Sequence, residues 1–340
     1  MRRFVRQALE PALRRWWRGD GGGWATFLHV AAAPAEWVFR GAVALHNLRC
    51  DRMGGVCVKG LRVVSVGNLV VGGTGKTPLA AWALRALATA GWSPALLSRG
   101  YGRDELLLHR RWNPHALVLA GPNRVAAAEA ALATGATAAV LDDGFQHRRL
   151  ARDVDMVLLA AEDPFPGHLL PRGPFREPPS ALARAHGVVV TRRLAEASDA
   201  EALAQRVRCL FPGITVARVA LVPGSWQHLD GTPAPPPQGP VLAVTSVARP
   251  ETFALQVEVA TRAPVELLAF PNHHEFRPAE VRALRARAGE RTVLVTEKDA
   301  VKLHPFETTL GRSLRVVPQA LRWEAGEADL TRLVTNVRGP

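Results

Sequence analysis

The chain has 340 residues, 48% of them hydrophobic and 21% charged, a length that suits two domains and a composition that excludes a disordered chain or a bundle of membrane spans. Basic residues outnumber acidic ones 43 to 30, and the formal charge of +13 favours anionic partners. Aromatics make up only 6% and no basic stripe carries stacking rings, so nucleic acid is not an expected partner. Almost every cation is Arg, which reads as a coding preference. Lys occurs only at Lys59, Lys76, Lys298 and Lys302, and a retained Lys is the more informative residue. Cys50, Cys57 and Cys209 are odd in number and lack zinc-site spacing, which points to a reducing, cytoplasmic compartment.

In Met1–Arg18, Val5, Leu9, Ala12, Leu13 and Trp16 recur at helical spacing, with Arg3, Arg6, Arg14 and Arg18 mostly opposite. Trp17, Trp24 and Trp37 follow. An apolar face rimmed by Trp and Arg is the composition of an interfacial helix; an amphipathic helix packed on its own domain has the same pattern, and Pro11 interrupts it. The longest apolar window, Trp24 to Phe39, is shorter than the roughly 20 residues a span requires and contains His29, Pro34 and Glu36, so no membrane crossing is expected.

Beyond it, short β-rich runs alternate with helical patterns. Strands are predicted at Arg62–Val66, Ala95–Ser98, Ala116–Leu119, Ala138–Asp142, Met156–Leu159, Val188–Thr191, Val216–Leu221, Val241–Thr245, Val265–Ala269 and Thr292–Thr296. Helices are predicted at Pro78–Ala90, Arg124–Ala133 and Ala279–Ala288. Continuously apolar strands separated by helices imply an α/β fold whose parallel sheet is covered on both faces. The Pro-rich run 232–237 marks a boundary. The expected organisation is an N-terminal amphipathic segment over 1–45, a nucleotide-binding lobe over 46–230 and a smaller α/β lobe over 231–340.

At 63–78 a buried strand runs into a Gly-rich turn, then Lys-Thr, then a helix with Pro in its first turn. The N–H groups of Gly72, Gly73, Thr74 and Gly75, at a helix N-terminus, suit a phosphate cradle. Lys76 would meet the β/γ-phosphates and the Thr77 hydroxyl would hold Mg²⁺. The strict pattern wants Gly where this chain has Val70. Asp142 and Asp143 end a predicted strand, where ligands of α/β sheets bind and a carboxylate can hold Mg²⁺ beside phosphates; a polar strand end capped by Asp142 is the plainer alternative.

The set of motifs resembles one family. Gly67-Asn68-Leu69 with 71–78, Ser98-Arg99-Gly100-Tyr101-Gly102-Arg103, Asp142-Asp143-Gly144-Phe145-Gln146-His147, the run 170–177, the variant Phe270-Pro271-Asn272-His273-His274 and the run 296–302 follow the order found in tetraacyldisaccharide 4′-kinases of the lipid A pathway, over roughly residues 25 to 320. The Val70 position lacks Gly in that family as well. The resemblance implies a P-loop kinase lobe and a smaller α/β lobe. The activity implied is transfer of the ATP γ-phosphate to the 4′-hydroxyl of an acylated glucosamine disaccharide 1-phosphate, with Mg²⁺. It further implies a monotopic protein on the cytoplasmic face of the bacterial inner membrane, and no obligate protein partner is expected.

By the same resemblance Asp143 and Glu177 join Asp142 at the metal or nucleotide site, and a sugar hydroxyl needs a base. The closest match to the family's base is Asp104, oriented by His273, with Asp143 as substitute. Here Arg103 abuts Asp104, a Gly before the Asp is lost, and Asn272 stands where the family carries Asp. An Asp–His pair drawn from two lobes would form on closure. A GTPase or metallochaperone, or a partition-type ATPase scaffold, remains as a rival. The run Thr296-Glu297-Lys298-Asp299 follows a strand, as a guanine clamp would, but with Lys and Asp adjacent; a salt-bridged strand end is the alternative.

Overall fold

The computed structural model describes residues 13, 16, 17, 22–100 and 102–336, those at 23–25 by their backbone alone. The amphipathic helix expected over Met1–Arg18 therefore lies almost wholly outside the described residues. In chain order the elements are α1 (Gly22–Met53), β1 (Arg62–Asn68), α2 (Lys76–Thr89), β2 (Pro94–Ser98), α3 (Arg103–Trp112), β3 (Leu117–Ala120), α4 (Arg124–Ala133), β4 (Ala138–Asp142), β5 (Val154–Ala160), β6 (Gly187–Arg192), α5 (Ala197–Leu210) and β7 (Thr215–Pro223). They continue with β8 (Val241–Thr245), α6 (Pro250–Thr261), β9 (Val265–Ala269), α7 (Pro278–Ala288), β10 (Thr292–Thr296), α8 (Glu297–Leu303), α9 (Glu307–Leu310), β11 (Leu314–Val317), β12 (Gln319–Ala325) and α10 (Glu327–Thr335). Each of the ten predicted strands falls on an observed one. The strands β11 and β12 were not foreseen: Arg315 interrupts the first, Pro318 follows it, and β12 is buried at no position, so neither shows a continuous apolar run.

Eight strands form one sheet in the order β12-β7-β6-β5-β1-β4-β2-β3, parallel wherever β1 to β6 pair. Strands β1, β4 and β5 are buried at every position, as a sheet covered on both faces requires. Apolar clusters hold this part together, among them one around Leu69, Phe145, Phe175 and Val190 and another around Val63, Leu97, Ala128 and Leu141. The second sheet is fully parallel in the order β11-β10-β8-β9, around Leu242, Val244, Val293 and Leu314.

The chain divides into two compact units: residues 1–99, 116–219 and 323–340 in the first, 100–115 and 220–322 in the second. The expectation drew one boundary at residue 231; by contacts the chain passes between units within β7 and β12, and the segment 100–115, which contains Asp104, groups with 220–322.

Helix α1 runs 32 residues with Pro34 inside it, about 48 Å at the standard rise. Phe27, Val30, Trp37, Val38, Leu45 and Met53 are all more than 60% exposed along it. Glu36 is buried, accepts the Leu169 N–H at 3.0 Å and lies 3.4 Å from both Arg172 and His168. Burial works to raise this carboxyl; the Leu169 N–H and the His168 and Arg172 charges prevail and hold it below its ordinary value. No helix among the described residues is long and apolar enough to cross a membrane.

Candidate functional site

In the first unit, β1 feeds a turn whose shape is set by side chains around it. The Asn68 amide, fully buried, donates to the Gly72 carbonyl at 3.3 Å and to Thr74 Oγ1 at 3.0 Å. The Thr191 hydroxyl, at the end of β6, donates to the Thr74 carbonyl at 3.0 Å. Val71 N–H reaches the Pro174 carbonyl at 2.8 Å, and Val70 makes an antiparallel bridge with Phe175. Val70 is 3% exposed, so the residue that breaks the strict phosphate-loop pattern is here a core side chain. Gly75 precedes α2 with φ of 96°, a left-handed conformation that a side chain would strain. The turn thus delivers the N-terminus of α2, with Lys76 and Thr77 at its first positions, to the carboxyl end of β1.

Strand β4 lies beside β1 in parallel, with Asp142 in register with Val66, so Asp142 ends at the same edge as the turn. Asp142 and Thr77 are both buried. Asp143 takes φ of 55° and receives two cations: Lys76 Nζ lies 3.4 Å from Oδ1 and Arg176 Nη1 lies 3.3 Å from Oδ2. Burial works to raise its carboxyl, and the charges of Lys76 and Arg176 override that and lower it. Glu177 is buried and accepts from Asn47 of α1 at 3.0 Å, Gln146 at 3.2 Å and Arg184 at 3.2 Å. Gln146 also donates to the Asn68 carbonyl at 2.9 Å, which ties the segment after β4 to the turn after β1.

Arg124 was not foreseen as part of this edge. It is 3% exposed at the start of α4, and the charges of Arg99, Asp143 and Asp142 act on it. His147 lies in the same field: burial and then Arg124, Arg152, Arg149 and Arg99 lower its pKa. A signal existed, since Arg at the first position of a helix opposes the macrodipole and calls for a reason outside the helix. The edge as a whole joins backbone N–H groups, a helix N-terminus and several cations around two carboxylates, an arrangement able to hold a polyphosphate.

The second unit holds the other predicted pair. His273 Nδ1 lies 2.9 Å from Asp104 Oδ1 and 3.0 Å from Oδ2. The expectation drew the pair from two lobes; by contacts both residues fall in one compact unit, because 100–115 packs with 220–322, α3 against α8. Asp104 is 2% exposed and sits in the first turn of α3, where a carboxylate suits the helix dipole, and its Oδ1 accepts the Glu105 N–H at 3.0 Å. A Gly is retained nearby at Gly102, with φ of 94°; a Cβ there would come within 2.7 Å of Asp104 Oδ1 and 2.8 Å of His273 Nδ1. His273 itself takes φ of 58°, with its N–H on the Ser246 carbonyl at 3.0 Å. Burial works to raise the Asp104 carboxyl, but the hydrogen bond and charge of His273, then Lys298 and Lys302, hold it below its ordinary value.

His274 is turned to other work, pairing with Glu280 at 3.1 Å and stacking on Phe270. Among the described residues no group of three or more His, Cys, Asp or Glu could hold a metal ion. The run 296–302 cannot serve as a guanine clamp: Asp299 is wholly buried, accepting from Thr245, Ser246 and Thr296, while Lys298 pairs with Glu105 at 2.6 Å.

Compared with known proteins, the chain matches the family model described as tetraacyldisaccharide-1-P 4′-kinase over residues 28–106 and 102–337. A tetraacyldisaccharide 4′-kinase of Anaeromyxobacter dehalogenans (strain 2CP-C) is 39% identical over 336 residues, 89% of each chain. One from Syntrophus aciditrophicus (strain SB) is 35% identical over 76% of this chain and 81% of its own. The crystal structure of the "apo" form of LpxK from Aquifex aeolicus, in complex with ATP, aligns with a TM-score of 0.69 at 24% identity, covering 90% of this chain and 98% of that one, and shares the fold.

Proposed function

The chain belongs to the tetraacyldisaccharide-1-P 4′-kinase family, and on that premise we propose that it transfers the γ-phosphoryl group of ATP to the 4′-hydroxyl of a tetraacylated glucosamine disaccharide 1-phosphate, giving lipid IVA. The observation that carries this reading is the Asp104–His273 contact at 2.9 Å. A nucleotide switch has no use for a buried carboxylate held by a histidine, whereas a kinase with an alcohol acceptor needs a group to take the hydroxyl proton.

Phosphoryl transfer asks the protein mainly for position and charge. The N–H groups of Gly72, Gly73, Thr74 and Gly75 hold the β- and γ-phosphates, and Lys76 exchanges its contact with Asp143 for the nucleotide. As the acceptor oxygen bonds to the γ-phosphorus and the bond to the β-phosphate oxygen breaks, the hydroxyl proton passes to Asp104 and ADP leaves. His273 keeps the carboxylate aimed and ionised. The donor chemistry of Thr77 and Asp142, one hydroxyl and one carboxylate, fits Mg²⁺, which takes few protein ligands and relies on phosphate oxygens for the rest; the ion would neutralise charge on the phosphates. Glu177 would join it by giving up one of its three present donors. Asp143 stands as the alternative base, a role its two cations make less effective.

The acceptor carries several acyl chains, so the reaction belongs at the cytoplasmic face of the inner membrane. The exposed apolar residues of α1 support that placement, with Trp37 under the Arg40 guanidinium at 5.6 Å. The test is transfer of labelled phosphate from ATP to the disaccharide 1-phosphate in mixed micelles, for wild type and Lys76→Ala. Lipid product that requires Lys76 and Mg²⁺ supports the proposal. ATP or GTP hydrolysis without lipid product replaces it with the nucleotide-switch reading.

A further inference from the structure

Four elements of the second unit meet at one buried cation. Lys302 of α8 has a side chain 2% exposed, and its ammonium contacts three polar groups: the Ser246 hydroxyl, Asp299 Oδ1 at 3.1 Å and Asp104 Oδ2 at 3.9 Å. The Phe276 ring lies 5.6 Å away. Asp299, one turn earlier on α8, is 0% exposed; besides Lys302 it receives the Thr245 hydroxyl at 2.9 Å, the Ser246 N–H at 3.1 Å, the Ser246 hydroxyl at 2.5 Å and the Thr296 hydroxyl at 2.7 Å. Ser246 in turn offers its carbonyl to the backbone N–H of His273, whose left-handed φ needs such a tether. The Lys302 ammonium therefore touches the carboxylate of the Asp104–His273 pair directly, and the histidine through Ser246.

An ammonium this deeply buried is costly unless it is paired. Asp299 supplies the countercharge, but Asp299 is already satisfied by three hydroxyls and an N–H. Packing alone would be met by an apolar residue of similar length. The chain instead keeps Lys here, one of only four in a sequence that otherwise uses Arg, and its compact ammonium reaches both the Ser246 hydroxyl and the Asp104 carboxylate. We propose that Lys302, fixed by Asp299 and Ser246, is a positioning residue for the Asp104–His273 pair, and that the run 296–302 serves to set one buried positive charge behind the Asp104 carboxylate.

The charged groups facing Asp104 are His273 from the turn after β9, and Lys302 and Lys298 from α8. Asp299 lies behind Lys302, and Glu105, its neighbour on α3, is engaged by Lys298. Lys302 keeps Asp104 ionised, so its loss raises the carboxyl and shifts the acid side of the rate profile upward. The proposal rests on Asp104 as the proton acceptor. The experiment uses the full chain in mixed micelles and compares wild type, Lys302→Met, Lys302→Arg and Asp104→Asn. For each, kcat, KM for ATP and the pH dependence of kcat/KM for the lipid are measured.

Lys302→Met is expected to lose on the order of 10- to 100-fold in kcat, with KM for ATP changed less than about twofold, because the nucleotide is held in the other unit. Its acidic limb moves up by about one pH unit, and Lys302→Arg returns the limb towards the wild-type position. An unmoved limb in Lys302→Met overturns the proposal whatever the loss in kcat, since a packing residue would act without changing it. If Lys302→Met does not fold, Lys302→Gln, which retains a hydrogen-bonding end, is read by the same limb. Activity retained in Asp104→Asn would refute the proton-acceptor reading itself; an inactive Asp104→Asn with an unmoved limb in the Lys302 variants would refute only the present inference.

Discussion

Asp104 and His273 are 169 residues apart in the chain and 2.9 Å apart in space. Only a glycine passes beside them: a methyl group on Gly102 would meet both the Asp104 oxygen and the His273 nitrogen at under 3 Å. Gly102→Ala is therefore expected to push the pair apart and strain a backbone held at φ of 94°. Lipid-dependent kcat should fall by about 10²-fold, the cost of a misplacement near 1 Å, while ATP binding by titration stays at the wild-type value. Wild-type turnover would show that the pair need not keep this spacing.

Asn68 braces the turn between β1 and α2, and it stands outside the residues proposed to meet phosphate. Asn68→Ala leaves the Gly72 carbonyl and the Thr74 hydroxyl without their buried donor, a loss of about 1–3 kcal/mol in unfolding free energy. A loosened turn should raise KM for ATP more than it lowers kcat. Chemical denaturation and steady-state kinetics on one preparation check both halves; an unchanged KM would mean that the glycines hold their shape alone.

Acid should unfold the protein through particular carboxylates. Glu36 and Glu162 both lie below their ordinary value of 4.5: burial works to raise each, and the Leu169 N–H for Glu36, and those of Arg193, Leu194 and Ala195 for Glu162, prevail. A depressed folded pKa gives stability that is present above the unfolded value and is lost as pH falls through the folded one. The melting temperature should thus hold near neutrality and fall below about pH 4.5. Glu162→Gln should melt lower at pH 7 and show a shallower fall on acidification. A parallel fall in both proteins would remove Glu162 from the account.

Trp37 and Val38 are 71% and 75% exposed on α1. Replacing both with Glu should weaken sedimentation with anionic phospholipid vesicles by about tenfold or more, since each apolar side chain contributes roughly 1.5–3 kcal/mol when withdrawn from water. Hydrolysis or transfer with a detergent-dispersed acceptor should change much less. Equal vesicle binding by the double variant would shift the membrane contact away from this face.

Legibility in the sequence followed the range of the interactions concerned. The strands around the phosphate turn could be read because a strand buried on both faces must be apolar throughout, and β1, β4 and β5 are buried at every position. The turn itself could be read because left-handed backbone and a helix N-terminus require Gly, then Lys and Thr, at adjacent positions. Val70 looked like a defect in that pattern; its partner Phe175 lies more than a hundred residues on, and no local rule points to it.

Asp104 and His273 were nameable as a pair only through the family that the motifs resemble. Their sharing of one unit followed only from how segment 100–115 packs, and a contact between distant segments leaves no mark on local periodicity. The run 296–302 shows the same division most clearly. Its residues announced a polar strand end, and that is what Thr296 and Asp299 are locally, a capped start to α8. That Lys302 and Asp299 also lie beneath Asp104 depends on four elements converging, and a buried charge is tolerable only where folding has brought all of its partners together.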